Sequence, residues 1–131
     1  MNDPLRRCPL CDTPVAEATG LGLRNYSSWL GDALPGRVSA MDVDFLLEKN
    51  GHFLVLEFKP KGATLPKGQR IALKALVRKG FDVWVVFEGP PGPLVGVAPL
   101  DERGDLTRHD MMSPKRLAGL VAEWFEEASA A

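Results

Sequence analysis

Cysteine is scarce in this chain. Cys8 and Cys11 are the only two among 131 residues, which excludes a fold stapled by several disulfides. Histidine is equally rare, with only His52 and His109, so a closed four-ligand zinc site has few side chains to draw on. No apolar run approaches the roughly 18 residues that mark a membrane span. The opening stretch MNDPLRRCPLC has no apolar core of a signal segment. A cytoplasmic protein with no membrane partner is therefore expected. There is no glycine-rich phosphate loop, no GxSxG elbow and no zincin helix, which excludes the common nucleotide-hydrolase, serine-hydrolase and metalloprotease designs. Ser27 and Ser28, with no nearby histidine in the sequence, lack the context of a nucleophile. Neither internal repeats nor low-complexity segments occur.

The chain has the length of one domain with a real core. Its 45% hydrophobic and 25% charged residues are ordinary for a globular protein. The net charge of −1 hides a strong segregation. Lys59, Lys61, Lys67, Arg70, Lys74, Arg78 and Lys79 are seven basic residues in the window 59–79, which holds no Asp or Glu. Such a window suits either a solvated helix face or a nucleic-acid backbone, whose phosphates supply most non-specific affinity.

The most informative stretch is AMDVDFLLEKNGHFLVLEFKPKGATLPKGQ, residues 40–69. Asn50-Gly51 between two apolar, β-rich runs is the strongest short-range signal of a two-residue type I′ hairpin. That turn pairs Lys49 with His52, Leu47 with Leu54, Asp44 with Glu57 and Asp42 with Lys59. Because strand side chains alternate, Asp42, Asp44, Glu57 and Lys59 leave one face, and Val43, Phe45, Leu54, Leu56 and Phe58 the other. Two carboxylates facing each other across a ladder repel. A hard divalent cation such as Mg²⁺ or Mn²⁺ supplies the missing charge, since it is commonly held by one or two carboxylates plus water and phosphate. A surface ladder of Asp–Lys and Glu–Lys pairs, worth under about 1 kcal/mol, leaves the Asp44–Glu57 pair unexplained.

Elsewhere the patterning predicts an amphipathic helix over 23–34, stopped by Pro35-Gly36. A helix over 65–79 follows, with Thr64 as N-cap, Pro66 in the first turn and Gly80 just past the end. Its inward stripe is expected to be Ile71, Ala72, Ala75, Leu76 and the Lys79 stem. The run 82–88 reads as a strand buried on both faces, joined to the Glu57 strand by a crossover. Residues 89–92 are a loop, and 94–100 a weaker strand placed at an edge because of Pro99. Residues 101–112 are expected to be irregular. Ser113 caps a last helix with Pro114 at its first position and a stripe of Leu117, Leu120, Val121, Trp124 and Phe125.

The Asp44 strand, Glu57-Phe58-Lys59 on the next strand, and Gly68-Gln69 on the following helix resemble the PD-(D/E)xK nuclease superfamily. The likeness covers residues 24–88, and the 13-residue Asp44–Glu57 spacing is similar to that of archaeal Holliday-junction resolvases and phage-type members. Here no proline precedes the aspartate, and Asp42 competes with Asp44, which has the better facing geometry. The resemblance implies an α/β restriction-endonuclease-like core, with a central mixed β-sheet flanked by helices in α-β-β-α-β-β-α order. It implies a metal-dependent endodeoxyribonuclease, structure-directed or weakly sequence-specific, with DNA as partner, RNA left open, and a homodimer as in resolvase-like members. Asp44, Glu57, Lys59, Gln69 and Asp42 would be catalytic. Asp44, Glu57, the Phe58 carbonyl and Asp42 would hold the metal. Lys61, Lys67, Arg70, Lys74 and Arg24 would contact nucleic acid.

Residues 1–22 read as a separate extension preceding a single domain over 23–131. Cys8-Pro-Leu-Cys11 has the spacing of half a zinc knuckle. Completion by Asp12 or a histidine, sharing between two chains, and two plain thiols all remain open. Two rival functions are a binding module that kept the fold without cutting, and a protein-interaction subunit using this knuckle and an exposed Leu117–Val121–Trp124 patch.

Overall fold

The computed structural model describes residues 33–36, 41–89 and 93–131. The chain divides into two compact units, Met1–Met41 and Asp42–Ala131. Of the first, residues 33–36 form a turn with Gly36 at φ 64°. Of the helix expected over 23–34 only residues 33 and 34 are described, and they belong to this turn; the cysteine pair Cys8 and Cys11, Arg24 and the loop residues 90–92 lie outside the described residues.

The second unit starts from the hairpin. Strands β1 (Phe45–Lys49) and β2 (His52–Lys59) flank Asn50 and Gly51, which both take positive φ, 52° and 81°. This is what a type I′ turn demands, and asparagine and glycine are the residues that tolerate it. The register is the one the turn dictates, from Lys49 opposite His52 to Phe45 opposite Leu56. Glu48 Oε2 accepts from the Gly51 N–H at 2.7 Å. Asn50 Nδ2 donates to the carbonyls of Ala128 and Ser129 at 3.1 and 3.2 Å, so the turn also satisfies orphan carbonyls at the end of the last helix.

Helix α1 (Lys67–Arg78) leads to β3 (Asp82–Glu88), which pairs parallel with β2 from Leu54 opposite Asp82 to Lys59 opposite Phe87. Strand β4 (Val95–Pro99) is antiparallel to β3, and β5 (Asp110–Met112) is antiparallel to β4. The result is a five-stranded mixed sheet in the order β1-β2-β3-β4-β5. Helix α2 (Pro114–Ala130) closes the chain, with the Ser113 hydroxyl accepting from the Arg116 N–H at 3.1 Å. The unit is thus α/β, with its element order β-β-α-β-β-β-α. Among the described residues no helix is long and apolar enough to cross a membrane.

The two sheet faces carry different partners. Leu54 and Leu56 pack with Trp124 and Ala128 of α2, joined by Phe45, Leu47, Trp84 and Val121. Trp124 Nε1 donates to Asp82 Oδ2 at 2.7 Å, which gives the buried indole N–H its acceptor. Burial of Trp124 against this cluster withdraws it from the exposed patch that an interaction surface on α2 would need. By alternation, Val55, Val83 and Val85 leave the opposite face, where α1 packs on β3.

Four expectations from the sequence are corrected. First, α1 begins at Lys67 with Pro66 as N-cap and no side-chain cap, so Thr64 does not serve. The Pro66 carbonyl accepts from the Arg70 N–H at 2.9 Å. The helix end is as expected. Gly80 has φ 96°, its N–H reaches the Val77 carbonyl, and the Phe81 N–H reaches that of Leu76, as in a Schellman motif. Second, the buried residue of α1 is Leu73 at 0% exposure, whereas Ile71 is 52% exposed and Ala75 is also exposed. Third, residues 101–112 hold order. Asp101 Oδ1 accepts the N–H groups of Arg103 and Asp105, both at 2.9 Å, and β5 follows. Fourth, β5 therefore takes the edge and β4 lies inside the sheet. Pro99 is tolerated there because β5 pairs only with 95–97, so no neighbour needs its missing N–H.

Candidate functional site

Glu57 is the one polar or charged side chain buried among the described residues, at 5% exposure. It stands on β2 between two neighbouring strands, on the face that α1 covers. Its two oxygens are unlike. Oε1 accepts from Gln69 Nε2 at 2.6 Å and lies 3.6 Å from Lys59 Nζ. Oε2 is buried with no partner, and so is Gln69 Oε1. Buried polar atoms are nearly always paired, and an orphan acceptor points to a proton, an ion or a ligand.

Asp44 is fixed beside this group by the strand end. The ladder stops at Phe45, and the Phe58 N–H, which continued pairing would give to Val43, goes to Asp44 Oδ2 at 2.8 Å. The ladder ends one pair short of Asp44 and Glu57, so the Asp44–Phe58 hydrogen bond, not strand pairing, keeps Asp44 next to the Glu57 strand. The Phe58 carbonyl leaves the same edge as its N–H.

These neighbours pull the Glu57 carboxyl in opposite directions. Burial is the largest effect and raises its pKa above the ordinary 4.5; the Gln69 hydrogen bond opposes this. The negative charge of Asp44 raises it further, Lys59 lowers it, and a hydrogen bond to Asp44 that only the protonated carboxyl can make raises it again. The net direction is upward. The site thus holds more negative charge than it can comfortably ionise, which is the condition that favours a cation or a proton.

Asp44, Glu57, Lys59 and Gln69 come together as the sequence pattern implies. Asp42 does not. It is exposed, it precedes the strand, and no ion pair joins it to Lys59; the facing pair expected of them is absent because pairing ends at Phe45. Among the described residues no group of three or more His, Cys, Asp or Glu side chains could hold a metal. A cation at this site would have only Asp44, Glu57 Oε2 and the Phe58 carbonyl to draw on, with water completing its shell.

The basic window divides. Lys61 and Lys67 are exposed on the segment following Lys59. Arg70 Nη1 donates to the Gly104 carbonyl at 2.9 Å and lies 3.8 Å from Asp105 Oδ1. Arg78 Nε donates to the Glu102 carbonyl at 3.0 Å. The Lys74 stem packs close to Gly104, where a Cβ would come within 3.1 Å of it. Arg70, Lys74 and Arg78 thus tie α1 to the 101–106 loop, a role that no local sequence signal announced. No family model matches the chain, and no curated protein or solved structure matches it.

Proposed function

We propose that this protein is a divalent-metal-dependent nuclease of the PD-(D/E)xK kind, built on a restriction-endonuclease-like core, that hydrolyses DNA phosphodiester bonds in a structure-directed or weakly sequence-specific way. The observation that carries this reading is the buried, partnerless Oε2 of Glu57 beside Asp44. A buried carboxylate oxygen without a partner is costly, and a cation bridging it to the exposed Asp44 would supply the missing charge.

Asp44, Glu57 Oε2 and the Phe58 carbonyl would hold Mg²⁺ or Mn²⁺. When bound, the ion lowers the pKa of a water and neutralises charge on the scissile phosphate. The protein's own groups do the rest. Gln69 holds Glu57 Oε1 and so leaves the buried Oε2 free for the ion. Lys59 is 16% exposed at its side chain and stands 3.6 Å from Glu57. Beside two carboxylates it stabilises charge developing on phosphate oxygens, more than it serves as a base. In the reaction the water oxygen bonds to phosphorus, the ester P–O bond breaks, and a proton ends on the leaving oxygen. Lys61 and Lys67 would follow the flanking backbone.

The test is a panel of labelled duplex, single-stranded, flapped and branched DNAs, with and without Mg²⁺, comparing native protein with Glu57→Ala. Magnesium-dependent cleavage lost in the variant supports the reading. The lack of a third acidic ligand among the described residues favours a second one, a non-catalytic nucleic-acid-binding module. Undiminished binding with no cleavage of any substrate would select it.

A further inference from the structure

Beyond Lys59, on the face that carries Glu57, one residue from each successive strand stands in register. Lys59 is opposite Phe87, Phe87 opposite Gly96, and Gly96 opposite Met111. Gly96 leaves this row without a side chain between two bulky neighbours. A Cβ there would lie 3.3 Å from Met111 Sδ and 3.9 Å from Phe87 Cβ. The gap forms the floor of a cleft of about 330 Å³, walled by Leu65 and Arg70. A volume of this order is that of a small-ligand site. The His109 ring stacks on Phe87 with centroids 5.6 Å apart and planes at 27°, and both His109 and Met111 are exposed. Neighbouring strands run about 4.8 Å apart, so Phe87 stands one strand spacing from Lys59, and the cleft begins one strand beyond the strand that carries Glu57.

We propose that this cleft receives the base of an unpaired deoxynucleotide next to the phosphate held at Asp44, Glu57 and Lys59, so that DNA with a single-stranded segment is the substrate class. The inference rests on the nuclease reading of that site. Flat aromatic surface, a soft thioether and a guanidinium fixed by the Gly104 carbonyl recognise a π-face and its polar rim. A base inside a duplex presents neither face, so only an unpaired or extruded one enters.

The experiment titrates full-length protein, in EDTA, into a short single-stranded oligodeoxynucleotide carrying one 2-aminopurine, and into a duplex with that base paired. Gly96→Leu fills the floor, and His109→Ala removes the exposed stacking ring; circular dichroism and melting check that both variants fold. The fluorescence of the single strand is expected to change on binding, and each variant to bind roughly tenfold more weakly, as for loss of one base–aromatic stack. Equal affinity of native protein and both folded variants, or equal response of the paired base, overturns the assignment. Cleavage without this fluorescence signal overturns the cleft and leaves the reaction standing. The signal without cleavage of any substrate supports the cleft and overturns the reaction.

Discussion

Glu57 concentrates the chemistry because its two oxygens live in different surroundings, one bonded to Gln69 and one with no partner. Its pKa is raised chiefly by burial, so the folded protein binds the proton more tightly than the unfolded chain. That contribution to stability is fully present below the ordinary 4.5 and is lost as pH rises through the raised value. Metal-free protein should therefore lose stability across that window, and Glu57→Gln should flatten the loss and melt higher at neutral pH. Thermal melts over a pH series check this; an unchanged pH profile in the variant would remove the carboxyl from the account. Magnesium at about a hundred times its dissociation constant should stabilise native protein by about 2.7 kcal/mol, and should not stabilise Glu57→Gln to that degree. Lys59→Met should leave the magnesium-induced melting shift near normal while turnover falls by about 10²-fold or more, the cost of losing one charge-stabilising group. Unchanged turnover would exclude Lys59 from the mechanism.

The elements that follow from local chemistry are those the sequence announces. Asn50-Gly51 permits one tight turn, and that turn sets the register of β1 and β2. Ser113-Pro114 and Gly80 mark helix ends for equally local reasons. The rotation of α1 was less legible, although the chain contains the clue. At 3.6 residues per turn, Gln69 and Ile71 cannot both face the sheet, while Gln69, Leu73 and Leu76 can. Once Gln69 reaches Glu57, Leu73 must be the inward residue. Leu73→Ala should accordingly cost about 2–5 kcal/mol, whereas Ile71→Ala should stay within about 0.5 kcal/mol, as for an exposed position. Denaturant unfolding of the two variants separates them, and similar losses would contradict the helix orientation. Strand β5 was not legible at all. Three residues pairing on an edge leave too short a pattern to distinguish from a loop, and their strand character exists only against β4.

At the scale of the whole described unit, the basic window 59–79 proves to serve two ends. Arg70, Lys74 and Arg78 hold the 101–106 loop, which leaves Lys61 and Lys67 as the exposed cations on the segment between Lys59 and Gln69. If these two track phosphates, replacing both with glutamine should weaken DNA binding of any sequence and lower the salt slope of log affinity by about 0.7 per residue for single strands. Binding measured at several salt concentrations tests this, and an unchanged slope would place the DNA backbone elsewhere. What the sequence determined by itself was the hairpin, its register, and hence the meeting of Asp44 and Glu57, because turn geometry and side-chain alternation act over a few bonds. What only the tertiary structure decided was the partnerless oxygen of Glu57, the exclusion of Asp42, the loop-bound arginines and the Phe87–Gly96–His109 cleft. Each of these depends on which distant surfaces close over a residue, and burial, unlike a turn, is not a property of neighbours in the chain.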